Sequence, residues 1–452
     1  RGILALVVGA LLLAATVSAV TDDPATLGPG TVERAANGST VISVQGFHFR
    51  GIWNEKKPAR LVFAGPRGHT EWVYDGSEHA RWFYDVDPLS NGNLLVTSTV
   101  PDDTVVFELD PQSETRVWTE RLDAKDTHDV DLINGDQLLV ANMREYNETT
   151  GVSNDRIFIY DRSAEEIVWQ WTFKNHYPNS TDGGYSADWT HVNDIDKIGA
   201  GKFMVSPRNF DQVIVVNRST GNITMRLGRD GNHDVLFEQH NPDYLVGDNG
   251  TPTILVADSE NDRIAEYRLN GSEWERTWTL SGGLDWPRDA DRLQNGNTLI
   301  TDTLNHRVIE VTPTGEVVWE YYAPWAPYDA ERLTGANASA VGGQTVSSGG
   351  SHGPTIAEMN VSGIYTLSGG GEGGPADDTG FSSWVAAMTA GTPLQNSVGF
   401  AAERYAHVVP FIRPVWLSSW GFAAVVCALC IAFPWLLFEV VYRFTRRYRL
   451  SV

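Results

Sequence analysis

The chain is poor in cysteine. Two stand in 452 residues, Cys427 and Cys430, both inside one apolar run. That excludes a disulfide framework or a cysteine-built zinc site elsewhere in the chain. Lysine is scarce too, confined to positions 56, 57, 125, 174, 197 and 202, and the other basic residues are arginine. Acidic residues number 57 against 34 basic ones, a formal net charge of -23. Such a chain repels a polyanion, so nucleic acid is not expected as a partner. Excess carboxylate with little lysine keeps proteins soluble in concentrated salt and points to a halophile. An ordinary acidic extracellular protein would share this balance.

Long apolar runs are missing from most of the chain and present at both ends. Ile3 to Val20 reads as a signal peptide or N-terminal transmembrane helix within 1–22. Trp416 to Tyr442 reads as a transmembrane helix, and RFTRRYR opens a basic tail over 443–452. Arginine on that flank predicts a cytoplasmic C-terminus, a cell-membrane location and an extracellular bulk. Sequons at Asn37, Asn147, Asn179, Asn217, Asn222, Asn249, Asn270, Asn337 and Asn360 predict a glycoprotein carrying N-glycans outside the cell.

Between the ends, one phrase recurs. YDVDPL (84–89), HDVDLI (128–133), NDIDKI (193–198), HNPDYL (240–245), RDADRL (288–293) and YDAERL (328–333) share x-[D/N]-x-[D/E]-x-[L/I]. The first five are each followed by a turn and an apolar strand, as in NGNLLVTS and NGNTLITD, then by a third strand such as RIFIYD. The fourth strand usually carries tryptophan, as in EIVWQWTF. Four short antiparallel strands over about 40 to 50 residues are a β-propeller blade. Five intact units and one unit shared between the two ends, a velcro closure, predict an all-β, six-bladed propeller over 45–345. ARLVFAGPRGHTEWVYD (59–75) would supply its third and fourth strands. Residues 346–380 are Gly/Ser-rich and read as a linker, and 381–415 as a juxtamembrane segment.

The recurring phrase would be the innermost strand. Its Asp residues suit bonds to backbone N–H groups of the next blade. The residue opening each phrase faces the funnel: Tyr84, His128, Asn193, His240, Arg288 and Tyr328. His79 and His191 sit just before inner strands, and an insertion, NHYPNSTDGGYSADW (175–189), precedes His191. Variation at a repeated position suits a binding site grafted on a symmetric scaffold. No cofactor and no metal are expected, because the histidines are spread across blades rather than paired. His306, on a strand-to-strand turn, reads as structural.

DWTHVNDID, EQHNPDYL and LQNGNTLITDTLNHRVIEVTPTGEVVWEY, with the tryptophan-rich fourth strands, resemble the arylsulfotransferase family, with a haloarchaeal-like character, over about residues 70 to 335. DTLNHRVIEV also looks like NHL-type propeller repeats. The family resemblance implies sulfuryl transfer from a phenolic sulfate ester to a phenol, without a nucleotide donor, through a sulfated histidine. It implies His191 and His240 as funnel histidines and Arg263, in DSENDRI, or Arg208, in SPRNF, as the sulfate-binding arginine. Neutral imidazole is a competent nucleophile, arginine neutralises sulfate oxygens, and a second histidine can shuttle the phenol proton.

There is one departure: Arg288 stands where the family's sulfated histidine is expected, which passes that role to His240 or His128. The expected catalytic set is His240, His191 and His128. The expected substrate contacts are Arg263, Arg208, Arg288, Tyr84, Tyr328 and Asn193. The alternative is a non-catalytic cell-surface propeller that binds an anionic, sulfated ligand. An NHL-type lyase would need a histidine-rich metal site, and a purely structural surface component would leave the funnel unexplained.

Overall fold

The computed structural model of the chain describes residues 2–21, 26–32, 34–47, 57–75, 82–247, 249–333, 353–371 and 380–449. They form two units: Leu27–Gly371, and Arg1–Thr26 with Glu372–Val452.

The larger unit is a six-bladed propeller of antiparallel blades. Blade one runs Trp82–Pro88, Leu94–Val100, Asp103–Asp110 and Thr115–Leu122, in sequence order from the axis outwards. Blades two to five open with Val130–Ile133, Val192–Gly199, His240–Val246 and Asp289–Arg292. Blade six closes the ring with Pro327–Leu333 innermost, then Ser39–Val44, Arg60–Ala64 and Thr70–Tyr74. Its second strand lies N-terminal to the expected boundary at 45. STVISV pairs with a strand nearly the whole ring away in sequence, Ser39 opposite Leu333, so no Asn-Gly turn marks it.

The repeated residues stitch blade to blade. The Asp129 carboxylate accepts from Ile195 N (2.5 Å) and Asp131 from Lys197 N (2.9 Å). Asp329 accepts from Val86 N (2.9 Å) and Asp289 from Ala330 N (3.2 Å). Each carboxylate thus satisfies an N–H on the inner edge of the following blade, which would otherwise lack a partner. Arg292 pairs with Glu266 and Arg332 with Glu310, both at 3.0 Å and both reaching back one blade. Fourth-strand tryptophans reach forward one blade on the outside: Trp171 donates to Gly221 O and Trp278 to Pro313 O, each at 2.8 Å.

Residues 353–371 were expected as part of a linker and instead dress the outer edges of the ring. Thr355 and Glu358 form a capping box for the short helix Ile356–Met359, and Ile356 is fully buried. Gly363–Thr366 then adds in parallel to the outer strand Glu273–Ser281 of blade four. Gly28–Pro29 pairs antiparallel with Val317–Tyr322 of blade five. The glycine-rich composition hid the few apolar residues, Ile356, Met359, Tyr365 and Leu367, that pack into the core of these blades.

The smaller unit is helical: Gly2–Thr21, Gly380–Thr389, Gln395–Ile412 and Ser419–Arg449. Two stretches are long and apolar enough to cross a membrane, Gly2–Val20 and Ser419–Thr445. The last helix runs on through the arginine-rich stretch that was expected as a separate tail. Within this unit the Ser18 and Ser418 hydroxyls meet at 2.5 Å.

Candidate functional site: a buried histidine, tyrosine and arginine cluster at the inner-strand openings

The inner strands deliver two rings of side chains. One is the opener of each strand. The other lies two residues earlier, at Asp126, His191, Glu238, Trp286 and Ala326, where φ is 51°, 40°, 47°, 51° and 57°. Non-glycine residues seldom hold positive φ, and five at one repeated place mark a constraint built into each blade entry. The turn that this conformation makes aims each opener inward. Register shifts at Tyr84, Asn193 and the Asn241 to Pro242 step add bulges that re-aim those strands.

Tyr328 lies at the centre. Its hydroxyl meets His128 Nδ1 at 2.9 Å, and its ring packs against Tyr84 (5.0 Å) and His240 (6.0 Å). Tyr84 lies against His128 with ring centroids 3.9 Å apart and donates to Asp126 Oδ1 at 2.7 Å. Burial raises both phenols well above their usual range, so both keep their protons. Arg288 lies over Trp286 (4.0 Å) and Tyr328 (4.8 Å) and donates to Gln45. Burial lowers its guanidinium to about 10, which leaves it charged at neutral pH.

The three histidines are held neutral. Burial first, then nearby arginines and histidines, push His128 and His240 well below their usual range. Burial and Arg208 take His191 down to about 3, although its Nδ1 lies 2.9 Å from Asp188 Oδ1. Arg144 bridges Asp126 (3.0 Å) and Asp188 (3.4 Å). Arg208 pairs with Glu238 at 3.1 Å.

His240 has a defined tautomer. Ser259 spends its proton on Pro287 O at 2.7 Å, so its oxygen accepts from His240 Nδ1 at 2.8 Å. Nε2 therefore carries a lone pair, and among the described residues it has no hydrogen-bond partner. The same holds for Arg288 Nε and Asn193 Oδ1, while Asn193 Nδ2 donates to Gln239 O at 2.9 Å.

His240, His128, Tyr84, Tyr328 and Arg288 therefore form one contact cluster. His191 joins it through His128 at 5.1 Å, and Arg208 stands close enough to lower His191 and His240. Arg263 is placed apart. It is held by Asp258 at 2.6 Å and by the carbonyls of Asp234 and Val235, as Arg307 is held by Asp302 at 2.8 Å one blade on. This is a recurring structural pair at the head of the third strand. His306 receives Ala326 N–H on Nδ1 at 3.2 Å, and its ring is packed against Phe47 and Trp325. His79 lies outside the described residues. Reading the openers alone missed Asp126, Asp188, Arg144, Glu238, Ser259 and Trp286. Three of them could have been found by extending the repeat frame two residues upstream.

A family model described as Arylsulfotransferase (ASST) matches residues 42–239. The match takes in Tyr84, His128, His191, Asn193 and Arg208, and it ends one residue before His240. No curated protein matches the chain. Among solved structures the chain is similar to a protein of unknown function from Bacteroides caccae, at 14% identity and TM-score 0.42, over 63% of this chain and 93% of that one. A putative 6-phosphogluconolactonase from Bacteroides fragilis stands at 10% and 0.42, over 65% of this chain and 98% of that one. A catalytically inactive virginiamycin B lyase from Staphylococcus aureus with quinupristin stands at 10% and 0.39, over 66% and 84%.

Proposed function

We propose that this chain is an arylsulfotransferase-like protein that moves a sulfuryl group from a phenolic sulfate ester to a phenol, with His240 as the carrier. The observation that carries this reading is the Nε2 lone pair of His240, fixed by Ser259 and without a partner among the described residues. In the first half-reaction Nε2 attacks sulfur, an Nε2–S bond forms, and the S–O bond to the aryl group breaks. The electron pair leaves on the aryl oxygen as phenolate. In the second, the acceptor phenol oxygen attacks the same sulfur and the Nε2–S electron pair returns to His240. His191, whose Nδ1 is occupied by Asp188 and which burial keeps neutral, relays the phenol proton to the released phenolate, so both histidines end neutral. Arg288 and Arg208 balance the sulfate charge. Tyr84, Tyr328 and Asn193 offer polar contacts at the same place. His240 is fully buried beneath Tyr328 and Trp286, so a donor must displace one of these rings.

We place the propeller on the extracellular side of the cell membrane, anchored by the last helix, with the arginine-rich end in the cytoplasm. N-glycans on the propeller fit this placement. Every described sequon asparagine is exposed except Asn217, which is half-buried.

The test is release of 4-nitrophenol from 4-nitrophenyl sulfate with a phenol acceptor, using the full chain in detergent micelles and high salt. Turnover that His240→Ala abolishes supports the enzyme. The complete burial of His240 favours a second reading, a cell-surface propeller that binds an anionic sulfated ligand without turning it over. Wild type that binds the ester and never releases 4-nitrophenol would select it.

A further inference from the structure

Two insertions break the period of the propeller, and they meet beside His191. In blade two a hairpin, Tyr146–Asn147 paired with Val152–Ser153, interrupts the step from the second strand to the third. The other insertion, 175–189, lies between blades two and three and ends on Asp188 and the fully buried Trp189. Asp155 ties the two together. One of its carboxylate oxygens accepts from Glu145 N at 2.9 Å, and the other accepts from the Thr190 hydroxyl at 2.7 Å.

Arg144 stands at that junction. Its φ is 62°, a costly conformation for a residue that is not glycine. In blades one, three, four and five a residue at positive φ directly precedes the third strand, at Asp102, Asp211, Asp262 and His306. In blade two the hairpin separates Arg144 from that strand, which starts at Arg156. Both ion pairs of Arg144, to Asp126 and Asp188, are made at the root of the guanidinium, through Nε. The side chain is 42% exposed, which leaves the planar Nη end to solvent. Neither carboxylate belongs to Arg144 alone, since Asp126 also accepts from Tyr84 and Asp188 also meets His191. Arg208 is held on the same rim. Its Nε donates to Asn209 Oδ1 at 3.0 Å, and Asn209 Nδ2 donates to Asp188 O at 2.5 Å. The Arg208 side chain is 13% exposed, and Arg288 is buried. Three arginines thus descend from solvent to the histidines. Arg144 lowers His128 and His191, Arg208 lowers His191 and His240, and Arg288 lowers His128 and His240.

We propose that Arg144 is the entry site for the donor: its Nη groups take the sulfonate of the arriving aryl sulfate, which then moves inward to Arg208 and Arg288. The identity of this anion rests on the sulfuryl-transfer reading. A formal charge of -23 repels an anionic ester from most of the surface, so a donor needs a cation that reaches solvent beside the cluster. The guanidinium fork matches two sulfonate oxygens. Asp126 and Asp188 hold its root, so little side-chain freedom is lost when the ester binds.

The experiment is steady-state turnover of 4-nitrophenyl sulfate by the full chain in detergent micelles, with inorganic sulfate as inhibitor, for wild type, Arg144→Gln and Arg144→Lys. Arg144→Gln should raise KM by about tenfold with kcat little changed, and should weaken sulfate inhibition by a similar factor. Arg144→Lys keeps the charge and loses the fork, and should fall between. Arg121→Gln, on the outer strand of blade one, should behave as wild type. The proposal is overturned if both Arg144 variants keep the wild-type KM. It is also overturned if kcat falls while KM and sulfate inhibition stay, which would make Arg144 only a support for Asp188. Wild type without turnover would count against the sulfuryl-transfer reading instead, and calorimetric titration with the same ester then decides. Weaker binding by Arg144→Gln upholds the entry site, and equal binding, or none by wild type, overturns it.

Discussion

The hydroxyl of Tyr328 in blade six lies 2.9 Å from Nδ1 of His128 in blade two, bridging blades that are not neighbours. Burial keeps the phenol protonated and the imidazole neutral, so the bond joins two uncharged groups whose donor is set by the His128 tautomer. The bond holds an aromatic ring across the axis, over His240.

Tyr328→Phe removes that hydroxyl and leaves His128 Nδ1 buried without it. The expected loss of stability is about 1–3 kcal/mol, read by thermal or denaturant unfolding. Because the freed ring covers His240 less firmly, KM for 4-nitrophenyl sulfate should fall while the fold is retained. An unchanged midpoint would mean the bond is not formed in solution.

Ser259→Ala tests the tautomer. Without the serine oxygen, His240 Nδ1 loses its acceptor, and the proton is free to move to Nε2, the attacking nitrogen. A fall in kcat on the order of 10- to 1000-fold is expected, with little change in KM. Ser259→Thr, which keeps the hydroxyl, should recover part of it.

The channel carboxylates set a pH dependence. Burial raises Asp329 to about 7, above its unfolded value of 3.8. A raised folded pKa means the native state holds the proton more tightly, so this stability is present below about pH 3.8 and is lost as pH rises towards 7. The buried histidines act in the opposite sense, His191 with a folded value of about 3, but only below the unfolded histidine range near 6.5. Between pH 6.5 and 8 the carboxylates act alone. The melting temperature should fall across that interval, and Asp329→Asn should flatten the slope. A melting temperature that rises there would contradict the assigned shift.

Most of the fold was legible because a propeller repeats its grammar. Each unit had four alternating strands, and the Asp of the inner strand was read as a pin to the next blade, as Asp129 on Ile195 now illustrates. Ser39–Val44 escaped because its partner is remote in sequence, and Gly363–Thr366 because four residues added to an edge carry no periodicity. The openers were legible as a varied position in a constant frame. The left-handed step two residues earlier was not, since Asp, His, Glu, Trp and Ala share no composition, only a backbone conformation. Arg263 looked like a sulfate ligand by its motif, and the structure pairs it with the aspartate five residues before it.

The most direct test of the central claim is to mix the full chain with 4-nitrophenyl sulfate without acceptor, quench it, and map the added mass by peptide sequencing. A single sulfo group on His240, absent from Ser259→Ala and discharged by added phenol, is the predicted result. A sulfo group on His128 or His191 instead, or none on a chain that still turns over, would contradict the account.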